Sequence, residues 1–311
     1  MDGGGGAGHR LSCDLSLPAD FRPQEVLAFH RRDPLRVAEC VEGATLRKGL
    51  MWAGQPACLT VDLTESRARA SLAIDGQATA PPVKDLEALA RRMLGLDQPI
   101  AGFVAAFRLH PLLGPLIRDR PGLRVPLAAS PFEALTWAIT GQQISVHAAV
   151  TVRRRLILGA GARHSSGLWC YPDERGVARM REPELRLAGY SGAKARALRA
   201  LSHALLTEPL PVQAWDGKGE TDPVRVEALR TRLLAIPGIG PWTADYALLR
   251  GFGWLDGSLH GDAAVRRKLQ QLLGRAGKVD AAAARAWLAE FSPWRALVAA
   301  HLWAWGEASS P

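Results

Sequence analysis

The chain has 311 residues, of which 48% are hydrophobic, and it carries a formal net charge of +9. That length supports two or three lobes with buried cores. The basic balance favours a polyanionic partner, nucleic acid first, although a generic basic surface gives the same charge. Cys13, Cys40, Cys58 and Cys170 are scattered and form no CxxC pair. They argue against zinc, an iron–sulfur cluster or a disulfide framework, and they suit a reducing compartment. No apolar run is long enough to span a membrane, and the opening MDGGGGAGHR lacks the apolar core of a secretion signal. A cytoplasmic protein with no membrane partner is expected.

In chain order, residues 1–10 read as a flexible tail. Residues 11–110 read as an α+β domain with an antiparallel sheet, because 11–17, 57–63 and 68–74 have strand texture and 24–30 has helix texture. Residues 111–311 read as a helical domain. Apolar residues recur at helical spacing over 83–94, 100–108, 131–139, 146–158, 182–187 and 193–206, and again over 224–234, 242–250, 262–273, 281–291 and 294–305. Turn-rich breaks fall at 159–167 and 216–222. The predicted fold class is α+β: a small N-terminal antiparallel β-sheet lobe with helices, followed by an all-α body.

Residues 236–244, Ile-Pro-Gly-Ile-Gly-Pro-Trp-Thr-Ala, join two of these helical runs. Gly238 and Gly240 allow close backbone approach, and Pro241 stands at a first helical position, where its missing N–H is not needed. The helix start behind them offers unpaired N–H groups and a positive dipole end, which together favour a phosphate. An ordinary helix-turn-helix corner gives the same local pattern. About twenty residues on, Asp262 opens the next helical run. By itself it reads as a helix N-cap; a carboxylate there also suits a group facing developing positive charge.

The hairpin followed by an Asp at this distance resembles the helix-hairpin-helix DNA glycosylase superfamily. Pro293-Trp294-Arg295 through His301-Leu302-Trp303 resembles the 3-methyladenine DNA glycosylase II family, as does Gly141-Gln142-Gln143-Ile144-Ser145. The likeness extends over most of the chain. It implies a glycosylase that flips an alkylated purine from duplex DNA and hydrolyses its glycosidic bond, acting as a monomer, on the nucleoid in a bacterium. Asp262 matches the catalytic Asp of the family, which stabilises positive charge on the sugar, orients water, or does both. Trp242, Tyr246 and Trp303 match base-pocket positions. Trp137, Trp287 and Trp305 read instead as core packing.

The lyase branch carries a lysine where this chain has Trp242, and Lys268 is the lone lysine between 224 and 274. The resemblance therefore implies base removal without strand cleavage, and the four-cysteine iron–sulfur loop of other relatives is missing. DNA-binding positions carried over are Gln142, Gln143, Lys194, Gly238, Gly240 and Thr243, with Gln143 filling the gap left by the flipped base. No cofactor is required. The carbonyls of Leu234, Ile236 and Ile239 match positions that hold a Na+ or K+ ion. Where relatives carry a tyrosine after the Asp, this chain has Ala263. Two other readings stay open: a helix-hairpin-helix module that binds damaged DNA without cleaving it, and a glycosylase for deaminated or oxidised bases.

Overall fold

The structure, a computed structural model, describes residues 9–76, 82–210 and 222–306. The expected tail and the turn-rich break at 216–222 therefore lie mostly outside the described residues. The N-terminal lobe runs β1 (His9–Ser16), α1 (Pro23–His30), β2 (Glu39–Glu42), β3 (Thr45–Trp52), β4 (Gln55–Leu63) and β5 (Arg67–Ile74). The strands form one antiparallel sheet in the order β1-β5-β4-β3-β2. β5 shows why: Ala68, Ala70, Leu72 and Ile74 turn inward while Arg67 and Arg69 face solvent, the two-residue period of a half-buried strand. β1 begins at His9, paired with Ile74. The last two residues of the expected tail are thus strand, because the ladder continues to the end of β5. α2 (Val83–Leu94) lays Leu86, Leu89, Ala90, Met93 and Leu94 into the same core.

The rest of the described chain is helical. It comprises α3 (Ile100–Phe107), α4 (Leu113–Asp119), α5 (Pro131–Gly141), α6 (Val146–Ala160), α7 (Glu174–Arg179), α8 (Glu182–Leu187) and α9 (Gly192–Thr207). Then follow α10 (Pro223–Leu234), α11 (Pro241–Phe252), α12 (Ala263–Leu272), α13 (Ala281–Ala289) and α14 (Arg295–Ala304). Ile100 and Phe103 of α3 pack with the C-terminal helices, Phe103 stacking on His301 at 5.3 Å between ring centres. α3, expected within the N-terminal domain, thus joins the core of the C-terminal helices. Among the described residues no helix is long and apolar enough to cross a membrane.

Two contacts position the site. α11 lies tightly on α5, because a Cβ at Gly251 would sit 2.9 Å from Pro131 Cα; only hydrogen fits there. The sheet is tied to the helical body through β3, where Gly49 accepts the Tyr171 N–H at 3.0 Å. Beside that tie, Lys48 of β3 is fully buried among groups from both lobes.

Candidate active site

The hairpin between α10 and α11 is anchored by Ile236 and Ile239, both buried, with the Ile239 N–H donating to the Ile236 carbonyl at 3.1 Å. Gly238 has φ +89°, and a Cβ there would meet Ala197 Cβ of α9 at 2.5 Å. Gly240 caps α11 in an extended conformation and faces open space. The ladder of α11 begins with Ala244 N–H donating to Gly240 O at 3.0 Å. The N–H groups of Trp242 and Thr243 therefore have no intrahelical partner, which leaves an anion cradle at the hairpin exit. Arg230 braces the pair by donating to Asp245 Oδ1 at 2.7 Å. Burial pushes the Asp245 carboxyl up, and Arg230 offsets that.

Asp262 is the N-cap of α12. Its Oδ1 accepts the backbone N–H groups of Ala264 and Val265, both at 2.9 Å, and the indole N–H of Trp303 at 3.3 Å. Its Oδ2 accepts the indole N–H of Trp242 at 3.0 Å. Four donors from three elements thus fix one carboxylate. His260 takes no part in that set: its Nδ1 lies 2.9 Å from Ser258 Oγ, and burial lowers its pKa. Among the described residues no cluster of three or more His, Cys, Asp or Glu side chains could hold a metal.

The three expected aromatics do come together. Trp242 and Tyr246 lie 5.3 Å apart between ring centres, and Tyr246 and Trp303 6.2 Å. Tyr246 continues into a cleft whose walls include Phe29, Arg32, Trp137 and Arg250. Trp137, read from sequence as core, does pack against the core of the C-terminal helices, and it also lines this cleft and donates its indole N–H to the Tyr246 hydroxyl at 2.9 Å. Its partner lies 109 residues away, beyond what local spacing can show. Phe29 and Arg32, from α1 and the turn after it, went unrecognised for the same reason. Arg250 did leave a signal. It follows Trp242 and Tyr246 at steps of eight and four, on one helix face.

The two glutamines separate. Gln142 Nε2 donates to Gly238 O at 3.1 Å and to Thr243 Oγ1 at 2.9 Å, clasping the hairpin from α5. Thr243 is buried by this clasp, so its side chain is directed inward rather than at DNA. Gln143 is exposed and has φ +57°, which turns it out of the chain path. Lys194 is not a loose cation either. Its Nζ donates to the carbonyls of Thr140 at 2.9 Å and Gln142 at 2.6 Å, capping α5, and burial lowers its pKa.

Under the cleft sits a buried charge network. Lys48 Nζ donates to Glu39 Oε1 at 2.5 Å and Glu133 Oε1 at 2.7 Å, and Arg153 lies 2.8 Å from Glu133 and 3.2 Å from Glu39. His30 Nδ1 lies 2.9 Å from Glu39. Burial works to raise both carboxyls, but Arg153 and Lys48 hold Glu39 well below the usual range and hold Glu133 below it too. Residues of the sheet, α1, α5 and α6 meet here, so the network fixes α1, and with it Phe29, against the cleft.

Residues 12–130 match the AlkA N-terminal domain. The chain is 31% identical over 193 residues to the DNA-3-methyladenine glycosylase 2 of Escherichia coli, covering 61% of this chain and 63% of that one. It is 29% identical over 220 residues to a probable bifunctional transcriptional activator/DNA repair enzyme AlkA of Mycobacterium tuberculosis, covering 68% of this chain and 41% of the relative. Its fold matches the 3-methyladenine DNA-glycosylase of Archaeoglobus fulgidus with a TM-score of 0.75 at 19% identity, over 94% of this chain and 97% of the other. The chain shares the fold of that solved DNA glycosylase. The segment that matches the AlkA N-terminal domain supplies the five-stranded sheet and, through Phe29, one wall of the cleft. The match to the curated relatives spans under two thirds of their length, 41% to 63% in the two named.

Proposed function

We propose that this protein is a monofunctional DNA glycosylase that excises alkylated purines, such as 3-methyladenine and 7-methylguanine, from double-stranded DNA. The observation that carries the reading is the Asp262 carboxylate, held by two backbone and two indole N–H groups beside an aromatic cleft. A pure DNA-binding module needs no carboxylate so fixed at the edge of a pocket. The names of the relatives support the same chemistry.

The residues would act as follows. The hairpin backbone at Gly238, Gly240 and the start of α11 would hold a phosphate, and Gln143 would enter the gap left by the extruded base. Extrusion costs a few kcal/mol, least where pairing is already weakened. An alkylated purine is cationic, so the faces of Trp242, Tyr246 and Trp303 attract it. It is also a good leaving group, so general acid catalysis adds little. Asp262 would face the cationic sugar as the bond breaks, and a carboxylate already oriented stabilises that charge without reorganisation. Gln142 and Lys194 would act by keeping the hairpin and the α5 end in register.

Base removal without strand cleavage fits the absence of an amine at the hairpin exit. Trp242 stands there, and the Lys268 ammonium is engaged by the Trp305 carbonyl at 2.6 Å. A Na+ or K+ ion would take the carbonyl oxygens of Leu234, Ile236 and Ile239, and in that place it would add positive charge for a phosphate. These are the neutral oxygen donors a monovalent cation accepts. The chemistry otherwise requires no cofactor.

The test is release of free base from methylated duplex DNA before any alkali treatment, with Asp262→Asn beside wild type. Release by wild type and its loss in the variant are expected. Retention of the DNA with no release would favour the binding module, and strand breaks without alkali would overturn the monofunctional reading.

A further inference from the structure

Asp262 and Trp303 belong to two segments that meet a second time, away from the cleft. The loop 253–262, between α11 and α12, carries both Asp256 and Asp262. α14 carries Arg295 at its first residue and Trp303 near its last. Arg295 holds Asp256 with both arms of its fork: Nε donates to Oδ1 at 2.7 Å and Nη2 to Oδ2 at 2.9 Å. Ser292 Oγ donates to the same Oδ2 at 2.9 Å, and the Arg295 N–H reaches Oδ1 at 3.4 Å.

The loop also caps the helix. Trp294, the residue before α14, makes no side-chain cap. Instead the Leu255 carbonyl accepts the N–H groups of Ala296 at 2.8 Å and Leu297 at 3.3 Å. The N–H groups that open α14 have no partner within the helix, and those of Arg295, Ala296 and Leu297 all end on the loop. A helix start ordinarily finds such partners on its own flanking residue. Here they come from the segment that leads to the carboxylate. On its other side that segment is pressed onto α11, where a Cβ at Gly257 would meet the Asp245 carbonyl oxygen at 3.2 Å.

Loop and helix thus close a ring, with Asp256 on Arg295 at one end and Asp262 on Trp303 at the other. An α-helix rises 1.5 Å per residue, so the two ends lie about 12 Å apart along α14. Arg295 is therefore far from the reacting atoms. The Trp303 N–H reaches Asp262 at 3.3 Å, close to the long limit of a hydrogen bond, and a shift of a few tenths of an ångström opens it. An exposed ion pair contributes little to stability. This one is only 29% and 14% exposed, and its bidentate geometry fixes direction as well as distance.

Building on the glycosylase reading, we infer that Arg295 is a positioning residue for base release: its fork on Asp256 sets the height and rotation of α14 against the loop, and so holds the Trp303 indole N–H on the Asp262 carboxylate.

The test is a double-mutant cycle in single-turnover rate constants for 7-methylguanine release at saturating enzyme, which do not depend on a variant's folded fraction. Arg295→Gln should slow release about ten-fold, the loss expected when one hydrogen bond to a charged acceptor is given up. Its duplex affinity should change little, because the hairpin is untouched. Trp303→Phe keeps a ring, removes the donor and should slow release at least as much. The double variant should be no slower than Trp303→Phe alone, because the bond through which Arg295 acts is already gone. Independent residues would instead multiply their losses, to about a hundred-fold. Arg295→Lys keeps the charge without the fork and should recover only part of the rate. Multiplied losses, a wild-type rate in Arg295→Gln, or a loss confined to duplex affinity would overturn the inference. Should Arg295→Gln not fold, the cycle is run with Arg295→Lys and the same outcomes decide. Multiplied losses on top of wild-type release leave the glycosylase reading standing and remove this one, whereas no release by wild type removes both.

Discussion

The indole N–H of Trp242, at the exit of the hairpin, donates to Oδ2 of Asp262 across 3.0 Å. The two residues lie twenty positions apart on different helices. One side chain therefore links the hairpin turn to the carboxylate and also lies against Tyr246.

Trp242→Phe keeps the aromatic face and removes the donor. A hydrogen bond to a charged acceptor contributes about 1.5–3 kcal/mol, so base release should fall about ten-fold or more while duplex affinity changes little. Single-turnover kinetics on methylated DNA check this; an unchanged rate would detach Trp242 from the orientation of Asp262.

Gly238→Ala places a Cβ 2.5 Å from Ala197 Cβ at φ +89°. The strained backbone and the overlap together should cost about 2–4 kcal/mol of stability, read by urea unfolding, and should weaken duplex binding. Adding Ala197→Gly relieves the overlap and leaves the backbone strain, so it should recover only part of the loss.

Gln142→Ala removes the donor shared by Gly238 and Thr243. Duplex affinity should drop several-fold, since buried Thr243 Oγ1 loses a partner and the hairpin loosens. Gln143→Gly, at an exposed left-handed position, should leave thermal stability intact or slightly raised and slow base release by removing the inserted side chain. Equal effects of the two substitutions on stability would contradict their different placement.

Burial pushes His301 down to about 4 from an ordinary value of 6.5. Below pH 6.5 the unfolded chain takes a proton that the folded chain refuses until about pH 4. Stability therefore falls across that window, by about 3 kcal/mol in total for this group. Burial lowers His30 as well, in the same sense. Glu39 and Glu133, held low by Arg153 and Lys48, contribute stability above the ordinary carboxyl range that is lost further down. Unfolding free energy measured from pH 7 to 4 should decline, with a shallower slope in His301→Gln.

Where the sequence misled, buried polar groups or breakers were present. β3 contains Lys48 and Gly49, which interrupt the alternation of a strand. Lys48 tolerates burial only because Glu39 and Glu133 meet it from other elements. α4 carries Gly114 and Pro115, and it forms because Leu113, Leu116 and Ile117 reach the core of the C-terminal helices. Trp137 packs on the core as its helical setting implies, but only the fold brings its indole N–H to the Tyr246 hydroxyl.

By itself the sequence determined what lies on one helix or one turn. Helical period put Trp242, Tyr246 and Arg250 on a single face, glycines and a proline marked the hairpin, and an Asp at a helix start marked the cap that became the site carboxylate. Side-chain spacing carries this because neighbours three and four apart must share a face whatever the rest of the chain does. Tertiary structure alone decided the rest: that Phe29 of the N-terminal lobe closes the cleft, that Lys194 and Gln142 are spent on the framework, and that Arg250 rests unpaired beside Trp303, with Asp262 on its other side. Those relations join residues 41 to 221 positions apart, and only packing of the lobes around a shared buried network sets them.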